Sequence, residues 1–187
     1  MQKKYVPLVV FLAALLVFAA HLGARAVLSS PTFALAEEKR IYLTFDDGPS
    51  TVVTARILDT LQEENVKATF FIVSARVHGR EETLRRIVRE GHTVGIHSAT
   101  HVYSQIYASD EALLADVAEC ADCIRRVTGV TPRVYRFPGG GSAARERQTQ
   151  LLSDRGLKVV RWNAVCGDEE IRNADAETLV RESIRTA

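Results

Sequence analysis

The sequence predicts an α/β protein with a parallel sheet, on the basis of three observations. Beyond residue 40, short runs rich in β-branched and aromatic residues alternate with longer segments of helical periodicity. This alternation occurs five times along the chain. Glycines directly follow three of the helical segments, where a left-handed cap residue is expected. Five strand-then-helix units indicate a parallel sheet with crossover helices, either open or rolled into a barrel.

Each strand is predicted from a short run of residues that suits a pleated and mostly buried surface. The first run reads Ile-Tyr-Leu-Thr-Phe and the second Ala-Thr-Phe-Phe-Ile-Val, and both consist largely of residues enriched in strands. The five predicted strands are residues 41–45, 68–73, 93–96, 133–137 and 157–162.

Helices are predicted where apolar residues recur with the period of an α-helix. Gly91, Gly129 and Gly156 mark the ends of the second, third and fourth of these segments. Because each helix follows a strand, functional residues are expected in the loops after the carboxyl ends of the strands. The five predicted helices are residues 52–64, 81–90, 110–128, 143–155 and 175–185.

The first 36 residues have the layout of an export signal. Lys3 and Lys4 precede an apolar run over residues 5–20, and the small-residue site Ala34-Leu35-Ala36 stands before the first acidic residues. We therefore expect residues 1–36 to be a signal peptide or an N-terminal membrane anchor. Residues 37–187 form one predicted domain, and the chain is expected to be exported to the cell wall, the outer face of the membrane or the medium.

The charge of the predicted domain argues against nucleic acid as a partner. Residues 1–36 contain three basic and no acidic residues, so 21 basic and 23 acidic residues remain and give a net charge of −2. Nucleic-acid-binding domains are strongly basic with clustered Lys and Arg. The sequence does not indicate an oligomeric state.

Carboxylates and imidazoles follow the first and third predicted strands. Asp46 and Asp47 come after the first strand, and His97 and His101 come after the third. If the second loop opens with a helical turn, its two imidazoles project to one face and can share a cation. One Asp with two His is a known ligand set for a catalytic zinc-like ion. The second carboxylate can then act as a base, although the spacing does not say which one. Separately, the aspartates would be ordinary turn formers and the histidines a half-exposed helix face.

Two further loops follow strands and contain polar or aromatic residues. Arg136 precedes a run of three glycines, whose backbone amides can approach a ligand closely. Trp162 and Asp168 lie in the loop after the fifth strand. Taken alone, the first of these loops would be a flexible connector with a surface arginine.

Together these motifs resemble the polysaccharide deacetylases of carbohydrate esterase family 4, the NodB homology domain. Three motifs match in order and at similar spacing: Thr44-Phe-Asp-Asp-Gly-Pro49, His97-Ser-Ala-Thr-His101 and Arg136-Phe-Pro-Gly-Gly140. The resemblance covers about residues 40–170. It implies a distorted (β/α) barrel with fewer than eight strands. It also implies the metal-dependent removal of acetyl groups from N-acetylated sugars.

The resemblance assigns roles by position. Asp46 would be the catalytic base, held by Arg136, and the backbone N–H of Gly139 would stabilise the oxyanion. Asp168 matches the acidic residue of the family's fourth motif and is a catalytic candidate. The remaining assignments are Asp47, His97 and His101 as ligands of one divalent ion, Zn²⁺ or alternatively Co²⁺ or Ni²⁺, with Pro138 and Trp162 as substrate-binding residues.

The substrate expected from the resemblance and the export signal is a glycan, namely peptidoglycan or a chitooligosaccharide, with the N-acetylglucosamine of peptidoglycan favoured. The family's fifth motif, a Leu-x-His strand that supplies a general acid, has no counterpart before Ala187. We therefore expect the C-terminal part of the domain to lie beyond this sequence. Two alternatives stay open: a non-catalytic glycan-binding module of the same fold, and a hydrolase of small amides.

Overall fold

A computed structural model describes residues 40–140, 145–168 and 174–186 of the chain. The described residues from Tyr42 onward belong to one compact unit. The predicted export signal, residues 1–36, lies outside the described residues and stays a prediction. Among the residues that are described, no helix has the length and apolar character needed to cross a membrane.

Five parallel strands form one sheet in the order in which they occur along the chain. This arrangement confirms the predicted α/β class, because each parallel pair needs a crossover connection and helices supply it. The strands are β1 (Thr44–Gly48), β2 (Thr69–Val73), β3 (Thr93–Ser98), β4 (Val134–Tyr135) and β5 (Lys158–Val159).

Six α-helices accompany the sheet in the described part of the chain, together with a 3₁₀ turn at Ser74–Arg76. All five predicted helices are present within a few residues of their expected bounds, and one short helix, Tyr103–Ile106, was not predicted. The helices are α1 (Val53–Glu63), α2 (Glu81–Arg89), α3 (Tyr103–Ile106), α4 (Asp110–Thr128), α5 (Glu146–Ser153) and α6 (Ala176–Thr186).

Helix α4 shows why the predicted bounds agree so well with the structure. At its N-terminus, Ser109 Oγ accepts a hydrogen bond of 3.1 Å from the Ala112 amide, as a capping serine does. At its C-terminus, Gly129 has a φ of +75° and its amide donates to the carbonyl of Arg125. Each end of α4 is therefore marked by one capping residue that can be recognised in the sequence.

The first strand differs from its predicted position. It was expected at residues 41–45, but β1 runs over Thr44–Gly48 and so includes both aspartates. Ile41 and Tyr42 are 85% and 79% exposed despite their β-forming side chains. Pairing with β2 determines the strand, since Thr44 lies opposite Thr69 and Gly48 opposite Ile72. Tertiary pairing has here overridden local propensity.

The core lies between the sheet and the helices, and β2 is its centre. Phe70, Phe71, Ile72 and Val73 are each at most 1% exposed, so both faces of this strand are covered. Strands buried on both faces are typical of parallel sheets. The hydrophobic core also includes the fully buried residues Leu58 of α1, Leu84 and Ile87 of α2, Ile96 of β3, and Leu113 and Ile124 of α4. The packed centre gives the C-terminal ends of β1, β3 and β4 a fixed relative position.

Candidate metal centre and active site

Asp47, His97 and His101 converge at the C-terminal ends of β1 and β3. Each offers one ligand atom, and these atoms all lie within 4.8 Å of one another. Asp47 Oδ1 is 3.6 Å from His97 Nε2 and 3.1 Å from His101 Nε2. The structure thus brings together the three residues that were predicted as metal ligands.

The buried ring of His97 is oriented by a backbone carbonyl. Its Nδ1 lies 2.8 Å from the carbonyl oxygen of Arg136. Because a carbonyl oxygen can only accept, Nδ1 must hold the proton, and the lone pair of the neutral ring is then on Nε2, which faces Asp47. Burial lowers the pKa of His97 and favours this neutral form. A neutral imidazole whose other nitrogen donates to a carbonyl is the usual form of a metal-binding histidine.

Two of the three predicted ligands have a left-handed backbone. The φ angles of Asp47 and His101 are +66° and +61°, which are unusual for residues with a side chain. Arg76 Nη1 donates a hydrogen bond of 2.6 Å to the Asp47 carbonyl, and Ser98 Oγ accepts one of 2.8 Å from the His101 amide. Such strained conformations cluster at functional sites, where the surroundings hold them in place.

The expected helical turn between the two histidines is wrong. His97 belongs to β3, which extends to Ser98, and His101 lies in the turn that follows the strand. The left-handed turn, rather than helical spacing, brings the two rings to a centroid separation of 5.2 Å. The two residues are therefore close together, as predicted, but not for the local reason that their spacing suggested.

A divalent cation fits this cluster. Asp47 Oδ1 is buried and has no hydrogen-bond partner among the described residues, although it lies between two imidazoles. A buried carboxylate oxygen without a partner is costly, and a cation would satisfy it. One carboxylate and two imidazoles are a donor set that zinc accepts and that cobalt and nickel also tolerate.

Asp46, the neighbour of Asp47, has a different partner. Arg136 Nη1 donates to Asp46 Oδ1 at 2.8 Å and to Thr44 Oγ1 at 2.7 Å. The guanidinium lies 4.3 Å from the ring centroid of Phe71, and Arg136 is only 3% exposed. The two adjacent aspartates are therefore separated in role: one faces the imidazoles and the other forms a geometrically fixed ion pair.

Two glycines of the loop after β4 lie against aromatic rings near the candidate site. Gly139 has a φ of +72°, and a Cβ built there would lie 3.0 Å from the hydroxyl of Tyr103. The ring of Tyr103 is 5.5 Å from that of His101. A Cβ at Gly140 would lie 2.7 Å from the ring of Trp162. Both positions require glycine, because a side chain would meet an aromatic ring as well as an unfavourable φ.

The other predicted site residues, Trp162, Pro138 and Asp168, differ in their exposure and in their contacts. Trp162 is 44% exposed, and its ring centroid lies 5.4 Å from the guanidinium carbon of Arg136. Pro138 is buried, and its carbonyl accepts a hydrogen bond of 2.8 Å from Tyr107 Oη. Asp168 is exposed, and its one described contact is with Cys166 Sγ at 3.0 Å. The described structure therefore does not bring Asp168 to the metal centre.

Three residues near the site were missed by sequence reasoning. Arg76 donates to the Asp47 carbonyl, Tyr103 lies beside His101, and Asp116 accepts a hydrogen bond from Ser98. The one available signal concerned Asp116, an acidic residue at a core-facing position of α4. Buried acids need partners, so such a position predicts a specific polar contact. Nothing in the sequence indicated the other two.

A family model described as polysaccharide deacetylase matches residues 35–160. The peptidoglycan-N-acetylglucosamine deacetylase PgdA of Listeria monocytogenes is 36% identical over 150 residues, covering 75% of this chain and 29% of the relative. A peptidoglycan-N-acetylglucosamine deacetylase of Bacillus cereus is 36% identical over 127 residues, covering 67% of this chain and 46% of the relative. The chain thus spans less than half of the length of these two relatives.

Solved structures match over most of the described chain. The catalytic domain of a peptidoglycan N-acetylglucosamine deacetylase from Eubacterium rectale has a TM-score of 0.68 and 37% identity, covering 78% of this chain and 69% of that chain. A CE4 esterase of Streptococcus mutans has a TM-score of 0.74 and 31% identity, covering 81% of this chain and 68% of that chain. These matches confirm the predicted distorted (β/α) barrel type.

Proposed function

Because this chain belongs to the polysaccharide deacetylase family, we propose that it hydrolyses the N-acetyl groups of a cell-wall glycan in a metal-dependent reaction. The substrate we propose is the N-acetylglucosamine of peptidoglycan, which the names of several relatives specify. The observation on which the proposal rests is the geometry of the site. Asp47, His97 and His101 converge on one point, and beside them Arg136 holds a second aspartate.

In this proposal Asp47, His97 and His101 bind one divalent ion, most simply Zn²⁺. Such an ion supplies Lewis acidity, because it polarises a carbonyl and lowers the pKa of a water molecule. The protein contributes the position of the three ligands. The rigid end of β3 and the carbonyl of Arg136 fix the His97 ring, and Arg76 holds the backbone of Asp47.

Asp46 is proposed as the general base that takes a proton from the attacking water. Its ion pair with the buried Arg136 fixes one carboxylate oxygen, and the carboxylate remains 31% exposed and open to substrate. Positioning of this kind is a large part of general base catalysis, which typically contributes about 10²- to 10⁴-fold in rate. Arg136 acts here as a positioning residue, since its guanidinium contacts Asp46 and Thr44.

The loop after β4 is proposed to receive the rest of the substrate. The backbone N–H of Gly139 would donate to the oxyanion that forms as water attacks the acetyl carbonyl, a contribution worth several kcal/mol in other enzymes. Trp162 offers an exposed ring on which a sugar can pack. Pro138 is proposed to line the same subsite through the loop that it shares with Gly139. Asp168 remains a proposed catalytic residue and would have to approach the site from the exposed loop after β5.

The proposed location follows from the proposed substrate. Peptidoglycan lies outside the cytoplasmic membrane, and residues 1–36 have the sequence of an export signal or anchor. We propose that the chain acts at the cell wall, either released or tethered.

Acetate release from purified peptidoglycan and from an N-acetyl-chitooligosaccharide, with and without a chelator, tests this function. We expect release from peptidoglycan that the chelator abolishes and added Zn²⁺ restores. His101→Ala should be inactive, whereas His78→Ala should retain full activity because His78 is fully exposed and contacts only Glu81. Release that is indifferent to the chelator would overturn the metal mechanism. If His101→Ala and the unaltered chain both bind glycan without release, the chain is a binding module. A small N-acetylated amide is assayed in parallel, and release from it without release from either glycan would make the chain a small-amide hydrolase.

A further inference from the structure

Asp116 is a buried acid that none of the proposed catalytic steps uses. It lies in the middle of α4 and is 8% exposed, among apolar neighbours of the same helix such as Leu113, Val117 and Cys120. Its Oδ2 atom has no hydrogen-bond partner among the described residues. A half-satisfied carboxylate in a core costs stability relative to an apolar side chain of similar shape. Its presence therefore indicates a role other than core stability.

The other oxygen of Asp116 contacts the segment that contains the two metal-binding histidines. Oδ1 accepts a hydrogen bond of 3.0 Å from Ser98 Oγ and lies 3.3 Å from the amide nitrogen of Thr100. Ser98 Oγ in turn accepts from the amide of Thr100 at 3.1 Å and from that of His101 at 2.8 Å. The carboxylate, the hydroxyl and two backbone amides thus form one connected network.

The Ser98 hydroxyl donates one hydrogen bond, to Asp116, and accepts two, from the backbone amides. The hydroxyl of Ser98 has one proton, and its donation to Asp116 Oδ1 leaves both oxygen lone pairs for the two amides. Without an acceptor at residue 116, the hydroxyl proton could turn toward other groups and the amides would lose a fixed acceptor. The ionised carboxylate also strengthens the donor bond, because charge-assisted hydrogen bonds are roughly twice as strong as neutral ones.

The segment held by this network includes the strained ligand. His101 has a φ of +61°, a conformation that is unfavourable for a residue with a Cβ. That conformation turns the imidazole toward Asp47, to the observed 3.1 Å. A relaxed backbone would move the ring away from the other two ligands. Helix α4 supplies the rigid support, because Cys120 Sγ one turn further on contacts the Ile72 carbonyl in β2.

We propose that Asp116 is a positioning residue of the metal centre, which acts through Ser98 and the Thr100 amide to hold His101 in its left-handed, ligand-presenting conformation. This inference deepens the proposed function, because it rests on the metal centre described there. It requires no contact between Asp116 and substrate. It assigns to α4 the task of fixing the third ligand, whereas β1 and β3 position the first two.

The test measures the affinity for Zn²⁺ and the stability of the metal-free protein in parallel. Zn²⁺ affinity is obtained by competition with a chromophoric chelator, and stability by thermal unfolding of the chelator-treated chain. Asp116→Leu removes the acceptor and keeps the core filled, so the metal-free protein should melt no lower than the unaltered protein. Its Kd for Zn²⁺ should rise about 10- to 100-fold, the usual effect of losing a group that orients a ligand. Asp116→Asn retains an acceptor oxygen and should restore most of the affinity.

Two further variants keep the test decisive. Ser98→Ala should raise the Kd as Asp116→Leu does. The increase in the double variant should be well below the product of the two single increases, because Asp116 acts largely through the Ser98 hydroxyl and otherwise only through its 3.3 Å contact with the Thr100 amide. Asp122→Leu, on the exposed side of the same helix and paired only with Arg125, should leave the Kd unchanged. If Asp116→Leu leaves the Kd within about twofold of the unaltered chain, the inference is wrong whether or not the melting temperature falls. No glycan enters the measurement, so protein that binds Zn²⁺ but releases no acetate would contradict the proposed function alone.

Discussion

At the scale of single residues, the two neighbouring aspartates of β1 show how one local sequence can serve two purposes. The strand bulges between Phe45 and Gly48, and Asp47 takes a left-handed φ of +66°. Adjacent side chains of a regular strand point to opposite faces. Here the irregular backbone directs Asp47 to the imidazoles and leaves Asp46 with Arg136.

This separation predicts different consequences for the two conservative variants. Asp46→Asn should lower kcat for acetate release by about 10²- to 10⁴-fold, the contribution of a general base, and leave the Kd for Zn²⁺ unchanged. Asp47→Asn should weaken Zn²⁺ binding, because a neutral amide replaces the one anionic ligand. Steady-state kinetics and Zn²⁺ competition on both variants measure these effects. Equal loss of Zn²⁺ affinity in the two variants would contradict the assignment of Asp46 as the base and Asp47 as the ligand.

A second residue-scale prediction concerns Gly139. Gly139→Ala and Gly79→Ala share an unfavourable φ, +72° and +73°, but a Cβ at Gly79 meets nothing within 4 Å. Both variants should lose roughly 1–2 kcal/mol of unfolding free energy from backbone strain. Only Gly139→Ala should also lose deacetylase activity, because its methyl group would displace Tyr103 beside His101. Urea unfolding and acetate release measure the two effects. Equal activity in the two variants would contradict a role for this loop.

At the scale of secondary-structure elements, β3 has a histidine at each end, and the two have different tasks. His97 at the C-terminal end belongs to the candidate metal centre. His92, directly before the strand, is buried, and its Nδ1 accepts a hydrogen bond from the Ala68 amide at 3.3 Å. Burial lowers the pKa of His92, with Lys67 as a second cause. This ring is therefore a neutral structural acceptor at the end of the sheet opposite to the candidate metal centre.

The lowered pKa of His92 predicts a direction for stability against pH. The unfolded chain takes up a proton near the ordinary histidine pKa of about 6.5, whereas the folded chain does so at lower pH. The stability contributed by the neutral ring is thus complete above pH 6.5 and is lost as pH falls from there through the lower folded pKa. Urea unfolding of the metal-free chain at several pH values should show this decline. His92→Asn should make it shallower and His78→Ala should not. A decline of unchanged slope in His92→Asn would contradict the assignment.

Much of this element-scale structure could be predicted from the sequence. Buried runs such as residues 68–73 and capped helices such as α4 have local signals, so both were placed within a residue or two. The start of β1 and the turn between His97 and His101 were wrong, because strand pairing and left-handed backbone conformations depend on distant partners. Asp116 and Ser98 lie 18 positions apart in sequence, and no local pattern reveals their hydrogen bond.

At the scale of the whole molecule, the candidate metal centre joins segments that are distant in sequence. Asp47 in β1 and His97 in β3 are separated by β2 and two crossover connections. Arg136, directly after β4, contacts both strands, because its carbonyl bonds the His97 ring and its guanidinium bonds the Asp46 carboxylate. A cation bound only by the folded chain therefore favours folding by mass action. The candidate ligands were predictable because parallel strands end at one edge of the sheet, whereas the contacts that hold those ligands were not.

This coupling predicts that Zn²⁺ stabilises the chain as a whole. At a free Zn²⁺ concentration about 100 times the Kd, the unfolding free energy should rise by about 2.7 kcal/mol. Thermal unfolding with and without Zn²⁺ should show a higher melting temperature in its presence. The shift should disappear in His97→Ala and persist in His78→Ala. A shift that persists in His97→Ala would place the bound ion elsewhere.

Anomalous diffraction at the zinc absorption edge, from crystals of the unaltered chain grown with Zn²⁺, tests the central claim most directly. We predict one strong peak about 2.0–2.2 Å from Asp47, His97 and His101, the distance expected for zinc with oxygen and nitrogen ligands. Asp46 should remain paired with Arg136 and outside the coordination sphere. A peak bound by other residues, or no peak between these three side chains, would contradict the account.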